Sequence, residues 1–198
     1  MTVKNLYKKY HIMPQLETHM LRVAGVGKII AENWQGECDT KLTTDLCLIH
    51  DMGNLAKFSG LDEHWSQEQT KFWSKYGRDA HEATIKILRE AGLDKYGDLI
   101  EEEAKFYREV INLETFETFS LPAVLTLYAD SRVAITGVVS LEERIIDLET
   151  RYNRKRNDWI WGPKLEKYVQ SLTTIDIRSI KDRDVEPLFD ELLTYEIE

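Results

Sequence analysis

Residues 45–58 read DLCLIHDMGNLAKF. Leu42, Leu46 and Ile49 recur at helical spacing, and His50 and Asp51 stand at the end of that apolar run. An unpaired carboxylate in such a place costs several kcal/mol, so Asp51 must be paired with a cation, protonated or bound to a metal.

The same helical period extends in both directions. From Pro14, a good first-turn residue, Leu16, Val23, Val26 and Ile30 share a stripe with His19, predicting a helix to about Trp34. After the loop NWQGECDT (33–40), Asp39 or Thr40 caps a second helix whose stripe is Leu42, Leu46, Ile49, His50 and Gly53. Past a break at Ser59–Gly60, LDEHWSQEQTKFWSKYGR (61–78) reads as a short helix with flanking loop. Asp79 caps a helix through Ala83, Ile87 and Leu88 that stops at Ala91–Gly92, and a charged helix spans 99–113. Ser120, with Pro122 in the first turn, opens LPAVLTLYADSRVAITGVV (121–139), the most apolar helix. Ser140 and Glu143 form a capping-box pattern for LEERIIDLETRYNRKR (141–156), and another helix begins at Gly162–Pro163. Strand signals are confined to scraps such as 174–177. The expected fold is an all-α multi-helix bundle over 1–170, with 171–198 as an acidic, partly ordered appendage.

Composition narrows the function classes. A 198-residue chain with 42% hydrophobic residues and five Trp has material for a real core, and 31% charged residues solvate its surface. The net charge of −9 argues against general nucleic-acid binding and against anionic membrane. A small anionic substrate stays open, because a metal can invert the local field. No window approaches a membrane span, and MTVKNLYKKYHIMPQ (1–15) lacks the apolar core of a signal peptide. Cys38 and Cys47 have no metal-finger spacing, so reduced thiols and a cytoplasmic location are expected. A homodimer is left open.

Each of the three most apolar helices carries a metal-competent group: His19 on the first, His50 and Asp51 on the second, and Asp130 in LYADSRV (127–133). Two imidazoles and two carboxylates would make a mixed N/O site, leaving two positions on a six-coordinate ion for water and substrate. Residue by residue the bland readings compete. A lone His on an apolar face is more often hydrogen-bonded core, and Asp130 alone would sooner cap a helix or pair with Arg132.

In order, the set resembles the HD-domain metal-dependent phosphohydrolase superfamily. THMLRVAGVGKIIAENW (18–34) resembles its first motif helix, LCLIHDMGNLAKF (46–58) its second and LYADSRV its last, over roughly residues 14–155. The resemblance implies His19, His50, Asp51 and Asp130 as ligands of one divalent transition metal ion (Mn, Fe, Co, Ni or Zn), with a second ion left open but less favoured. It implies attack of an activated water on a phosphomonoester or phosphodiester, a nucleotide for preference. Asp51, His81 and Arg22 are the implied catalytic groups, with Arg22, Asn54, Lys57, Arg78 and His81 around the substrate. Many members carry Lys where this chain has Asn54, which removes one cation; Arg22, Lys57 or Arg78 would have to supply it.

Other features stay near their bland readings. His81 is a substrate contact or proton donor against a surface or capping role; His64 is a weaker candidate, and His11 none. The helix EEEAKFYREVINL (101–113) has no histidine, so a two-metal ligand set is incomplete. Trp65, Phe72, Trp73 and Tyr76 are core before they are a nucleobase pocket. RYNRKR (151–156) is a solvated helix end, and Gly25 and Gly27 mark a close helix crossing. Two alternatives stay in play: an HD-type di-iron oxygenase, which needs additional histidine ligands, and a non-catalytic helical module binding a nucleotide or a protein.

Overall fold

The computed structural model describes residues 1–109, 116–152 and 159–198. Its fold is all-α apart from one two-stranded ribbon. Three helices form the centre. α2 (Pro14–Glu32), α3 (Thr40–Ile49) and α7 (Leu121–Asp130) all pack on one another. Their mutual faces bury Met20, Val23, Ala24, Leu46, Ile49, Leu125 and Tyr128 completely.

Local chemistry sets the ends of these helices. The Asp39 side chain accepts the Leu42 N–H at 2.8 Å and starts α3; Pro122 occupies the first turn of α7. α2 and α3 approach closely because Gly27 carries no side chain: a Cβ there would lie 2.7 Å from Cys47 Sγ. Gly25 makes the same allowance for Val185. Cys47 Sγ in turn contacts Thr126 Oγ1 at 3.4 Å, tying α3 to α7.

Around the centre lie α1 (Val3–Lys9), α4 (Glu63–Tyr76), α5 (Ala80–Ala91), α6 (Gly97–Glu109), α8 (Leu141–Tyr152) and α9 (Gly162–Ser171). Asp79 accepts the Glu82 N–H at 2.9 Å and Gly92 closes α5 at φ 76°, as its capping signals require. Ser140 and Glu143 cap α8 reciprocally. The C-terminal end of the helix read over 99–113 and most of RYNRKR fall outside the described residues.

Three features differ from the sequence expectation. The helix read as running on through His50 to Gly53 ends at Ile49, and the chain turns through Asp51 into a short 3₁₀ turn, Asn54–Lys57. Gly53 makes this turn, pressed against the Ala80 carbonyl, with its N–H on Thr84 Oγ1 at 2.9 Å. The apolar run 121–139 breaks after Asp130 into an antiparallel ribbon, β1 (Val133–Ala134) and β2 (Gly137–Val138), because Gly137 at φ 130° supplies the turn and Val, Ile and Thr favour extended backbone. Residues 174–177, read as a strand scrap, form no named strand; a single bridge joins Thr173 to Trp34.

Finally, the segment read as an appendage is built into the core through α10 (Asp182–Val185) and α11 (Phe189–Thr194). Ile177, Val185, Leu192 and Ile197 are buried, and the Ile197 N–H donates to the Met1 carbonyl at 3.1 Å. Arg132, fully buried, donates to the carbonyls of Ile177 and Ile180 at 2.8 and 3.3 Å. Among the described residues, no helix is long and apolar enough to cross a membrane.

Candidate metal centre

The central helices bring four side chains to one point. His19 comes from the second turn of α2, His50 caps α3, Asp51 begins the turn that follows, and Asp130 ends α7. His19 Nε2 lies 3.1 Å from Asp130 Oδ1 and 3.6 Å from Asp51 Oδ2. His50 Nε2 lies 3.7 Å from Asp51 Oδ2 and 4.0 Å from Asp130 Oδ1. His19, His50 and Asp130 each offer one ligand atom within a common 4.8 Å, and this group can hold a metal ion. Asp51 stands beside it, its Oδ2 3.6 and 3.7 Å from the Nε2 atoms of the two imidazoles, whose ring centroids are 5.7 Å apart.

The donor chemistry of His50 fits a cation. Its Nδ1 lies 2.8 Å from the Cys47 carbonyl, which accepts only, so the Nδ1 carries the proton. With the proton on Nδ1 alone, Nε2 would present a bare lone pair, and that atom is buried with no hydrogen-bond partner. A lone pair held that way is what a metal ligand needs, with the backbone carbonyl fixing the tautomer. Burial works to raise the Asp130 carboxyl, but the hydrogen bond and charge of His19, with Arg144 and His50, hold it well below the usual carboxylate range. Burial pushes the nearby Cys47 thiol up to about 12, so it stays protonated and packs as an apolar group.

The other sequence candidates are distributed unevenly. Arg22 donates from Nε to Asp182 Oδ1 at 2.9 Å and reaches Glu186 at 3.5 Å, so it clamps the C-terminal segment to α2. Asn54 is buried in the turn after Asp51, its N–H on the Asp51 carbonyl at 2.9 Å, and Lys57 is exposed at the turn's end. Arg78 stacks over Trp73 at 4.3 Å. His81, in the first turn of α5, places Nε2 3.2 Å from Glu101 Oε2. His64 is exposed against Trp65, and His11 is exposed at the end of α1. Phe72 and Tyr76 are buried, while Trp65 and Trp73 pack partly buried against the core.

Two groups at the site have no counterpart in the sequence reading. Glu103 on α6 is half-buried, and burial pushes its carboxyl up to about 7, with His50 and Lys57 working downwards and Asp130 and Asp51 upwards. Its signal was the Ile100–Glu103–Phe106 spacing, a carboxylate on an apolar stripe. Arg144 on α8 is 11% exposed; one terminal nitrogen pairs with Asp147 at 2.9 Å, its Nε is buried without a partner, and its charge acts on Asp130. Its sequence context, LEERIIDLETRY, reads as an ordinary charged helix face. In comparisons with known protein families, curated proteins and solved structures, nothing matches the chain.

Proposed function

We propose that this chain is a metal-dependent phosphohydrolase of the HD-domain type, acting on a phosphomonoester or phosphodiester, with nucleotides the favoured class. The observation that carries the reading is the His50 Nε2, buried and unpartnered amid His19, Asp51 and Asp130. Those four residues would hold one divalent ion, and a His/carboxylate set suits Mn, Fe, Co, Ni or Zn. When bound, such an ion supplies a water of lowered pKa and a Lewis acid for a phosphate oxygen.

The chain's own residues do the rest. The Cys47 carbonyl holds the His50 ring in the liganding tautomer. The turn at Gly53 keeps Asp51 at the end of α3, facing the two imidazoles. Arg144, with a free Nε–H, and Lys57, at the open end of the turn, are the cations available to a dianionic phosphate. Arg22 serves by anchoring α2, which carries His19.

The test is elemental analysis of protein purified without chelator or metal-affinity resin, beside Asp51→Asn. The expected result is about one divalent ion per chain, lost in the variant, with phosphate release from a nucleotide panel by the wild type alone. No metal after reconstitution with Mn or Ni would end the catalytic reading. Two irons per chain with an oxygen-dependent product would replace it by the oxygenase.

A further inference from the structure

We infer that Thr84, on α5, is the positioning residue for Asp51: its hydroxyl holds the turn that keeps this carboxylate against the two imidazoles of the metal centre. The inference rests on the metal-binding part of the proposed function and is independent of which ester is cleaved.

Asp51 differs from the other three groups of the centre in how its backbone is held. His19 and Asp130 lie within α2 and α7, and His50 is tied to α3 by its N–H on the Leu46 carbonyl at 2.9 Å. Asp51 stands past the end of α3, and the turn after it passes through Gly53. The Gly53 N–H donates to Thr84 Oγ1 at 2.9 Å, and Thr84 is 1% exposed. The same hydroxyl donates to the Ala80 carbonyl at 2.9 Å, so its one proton is committed and it meets the turn as an acceptor. The contact is flush on this side. A Cβ at Gly53 would lie 2.1 Å from the Ala80 carbonyl oxygen and 2.5 Å from the Thr84 nitrogen.

The far end of the turn is held separately. Gln69 on α4 donates from Nε2 to the Leu55 and Phe58 carbonyls at 2.7 and 2.9 Å, and Trp73 Nε1 donates to the Ala56 carbonyl at 3.0 Å. With residues 55–58 fixed by α4, loss of the Thr84 bond releases only the near end, residues 51–53. That is where Asp51 Oδ2 stands 3.6 and 3.7 Å from the His19 and His50 Nε2 atoms. Removing a group that orients a metal ligand typically weakens binding ~10–100-fold. Thr84 acts one step further out, through the backbone, so the lower end of that range applies. Valine keeps the shape of threonine but leaves the buried Gly53 N–H without an acceptor; serine keeps the hydroxyl.

The experiment titrates Mn²⁺ and Ni²⁺ into the full metal-free chain by isothermal titration calorimetry, and the variants are compared with the ion that the wild type binds more tightly. Circular dichroism establishes that each variant is folded at the titration temperature. Thr84→Val is expected to weaken binding about tenfold, while Thr84→Ser stays within about threefold of wild type. Thr44→Val is the control for a buried threonine: its hydroxyl bonds the Thr40 carbonyl of its own helix at 2.7 Å, and its affinity is expected to stay within about threefold as well. Thr84→Ala removes the same bond without a methyl against the turn, carries the same expectation as Thr84→Val, and replaces it if the valine variant does not fold. Wild-type affinity in folded Thr84→Val or Thr84→Ala overturns the assignment and leaves the metal centre intact. Equal loss in Thr84→Ser or in Thr44→Val does the same, and so does failure of both Thr84→Val and Thr84→Ala to fold, which would make Thr84 a structural residue. A wild type that binds neither ion overturns the inference together with the metal centre.

Discussion

The Glu103 carboxyl, pushed from the ordinary 4.5 up to about 7 by burial, links protonation to folding in the metal-free protein. Between those two values the folded chain keeps a proton that the unfolded chain has released. Stability therefore falls as pH rises through this window and levels off above it. Asp130 has the opposite sign: its depressed value adds stability above the ordinary aspartate range, lost as pH falls into acid. Glu103→Gln removes the first dependence and leaves the second. The difference in Tm between Glu103→Gln and wild type, measured without metal, is expected to grow in favour of the variant from pH 5 to pH 8. A difference that is flat with pH would mean that Glu103 is ionised throughout. At this scale the sequence was informative about which side chains meet: His19, His50, Asp51 and Asp130 do converge. It was silent about Arg144, whose guanidinium in a charged helix looks the same whether it points inward or out; for Glu103 the only signal was its place between Ile100 and Phe106 on an apolar stripe.

At the scale of elements, the closeness of α2 and α3 sets the distance between His19 and His50. Gly27 is the contact point, and Gly27→Ala would place a Cβ 2.7 Å from Cys47 Sγ, one turn before His50. Alanine gains up to about 1 kcal/mol of helix propensity over glycine. Overpacking in a closed core costs about 1–3 kcal/mol, so the clash wins. Gly27→Ala is expected to lower the urea midpoint and also to weaken metal binding, since the helices that carry the two imidazoles are pushed apart. Gly97→Ala, at a site with open space around the added methyl, is expected to change neither. Loss of stability without loss of metal affinity would detach the crossing from the site. Elements with strong punctuation were legible: Asp79 and Gly92 frame α5, and Ser140 with Glu143 opens α8. The ribbon was not, because Val133 to Val139 continues an apolar run whose period only Gly137 interrupts. α1, α10 and α11 span too few turns for a period to emerge, and helices that short depend on packing that sequence does not display.

At the scale of the whole molecule, the question is whether residues 1–170 stand alone. Removing residues 171–198 strips Ile177, Ile180, Val185, Leu192 and Ile197 from the core, all at most 3% exposed. At roughly 1.5–3 kcal/mol for each buried side chain, the loss is on the order of 10 kcal/mol, which matches the entire stability of an ordinary domain. The loss is larger than the apolar count alone. Arg132 would keep its buried charge while losing the Ile177 and Ile180 carbonyls, and each unmade bond to a buried group costs about 1–3 kcal/mol. Arg22 would lose Asp182 and Glu186, and the Gly25 face of α2 would lose Val185. The shortened chain is therefore expected to lack a cooperative thermal transition by circular dichroism and to bind no metal. The point variant Asp182→Asn provides the comparison: it removes the charge of one partly buried ion pair, keeps an oxygen to accept the Val138 N–H, and is expected to retain the fold with a modestly lower Tm. A shortened chain that still melts cooperatively and retains its ion would make 1–170 an independent domain. In that case α10 and α11 would be a detachable clasp, and the anchoring of α2 through Arg22 would have no bearing on the metal centre.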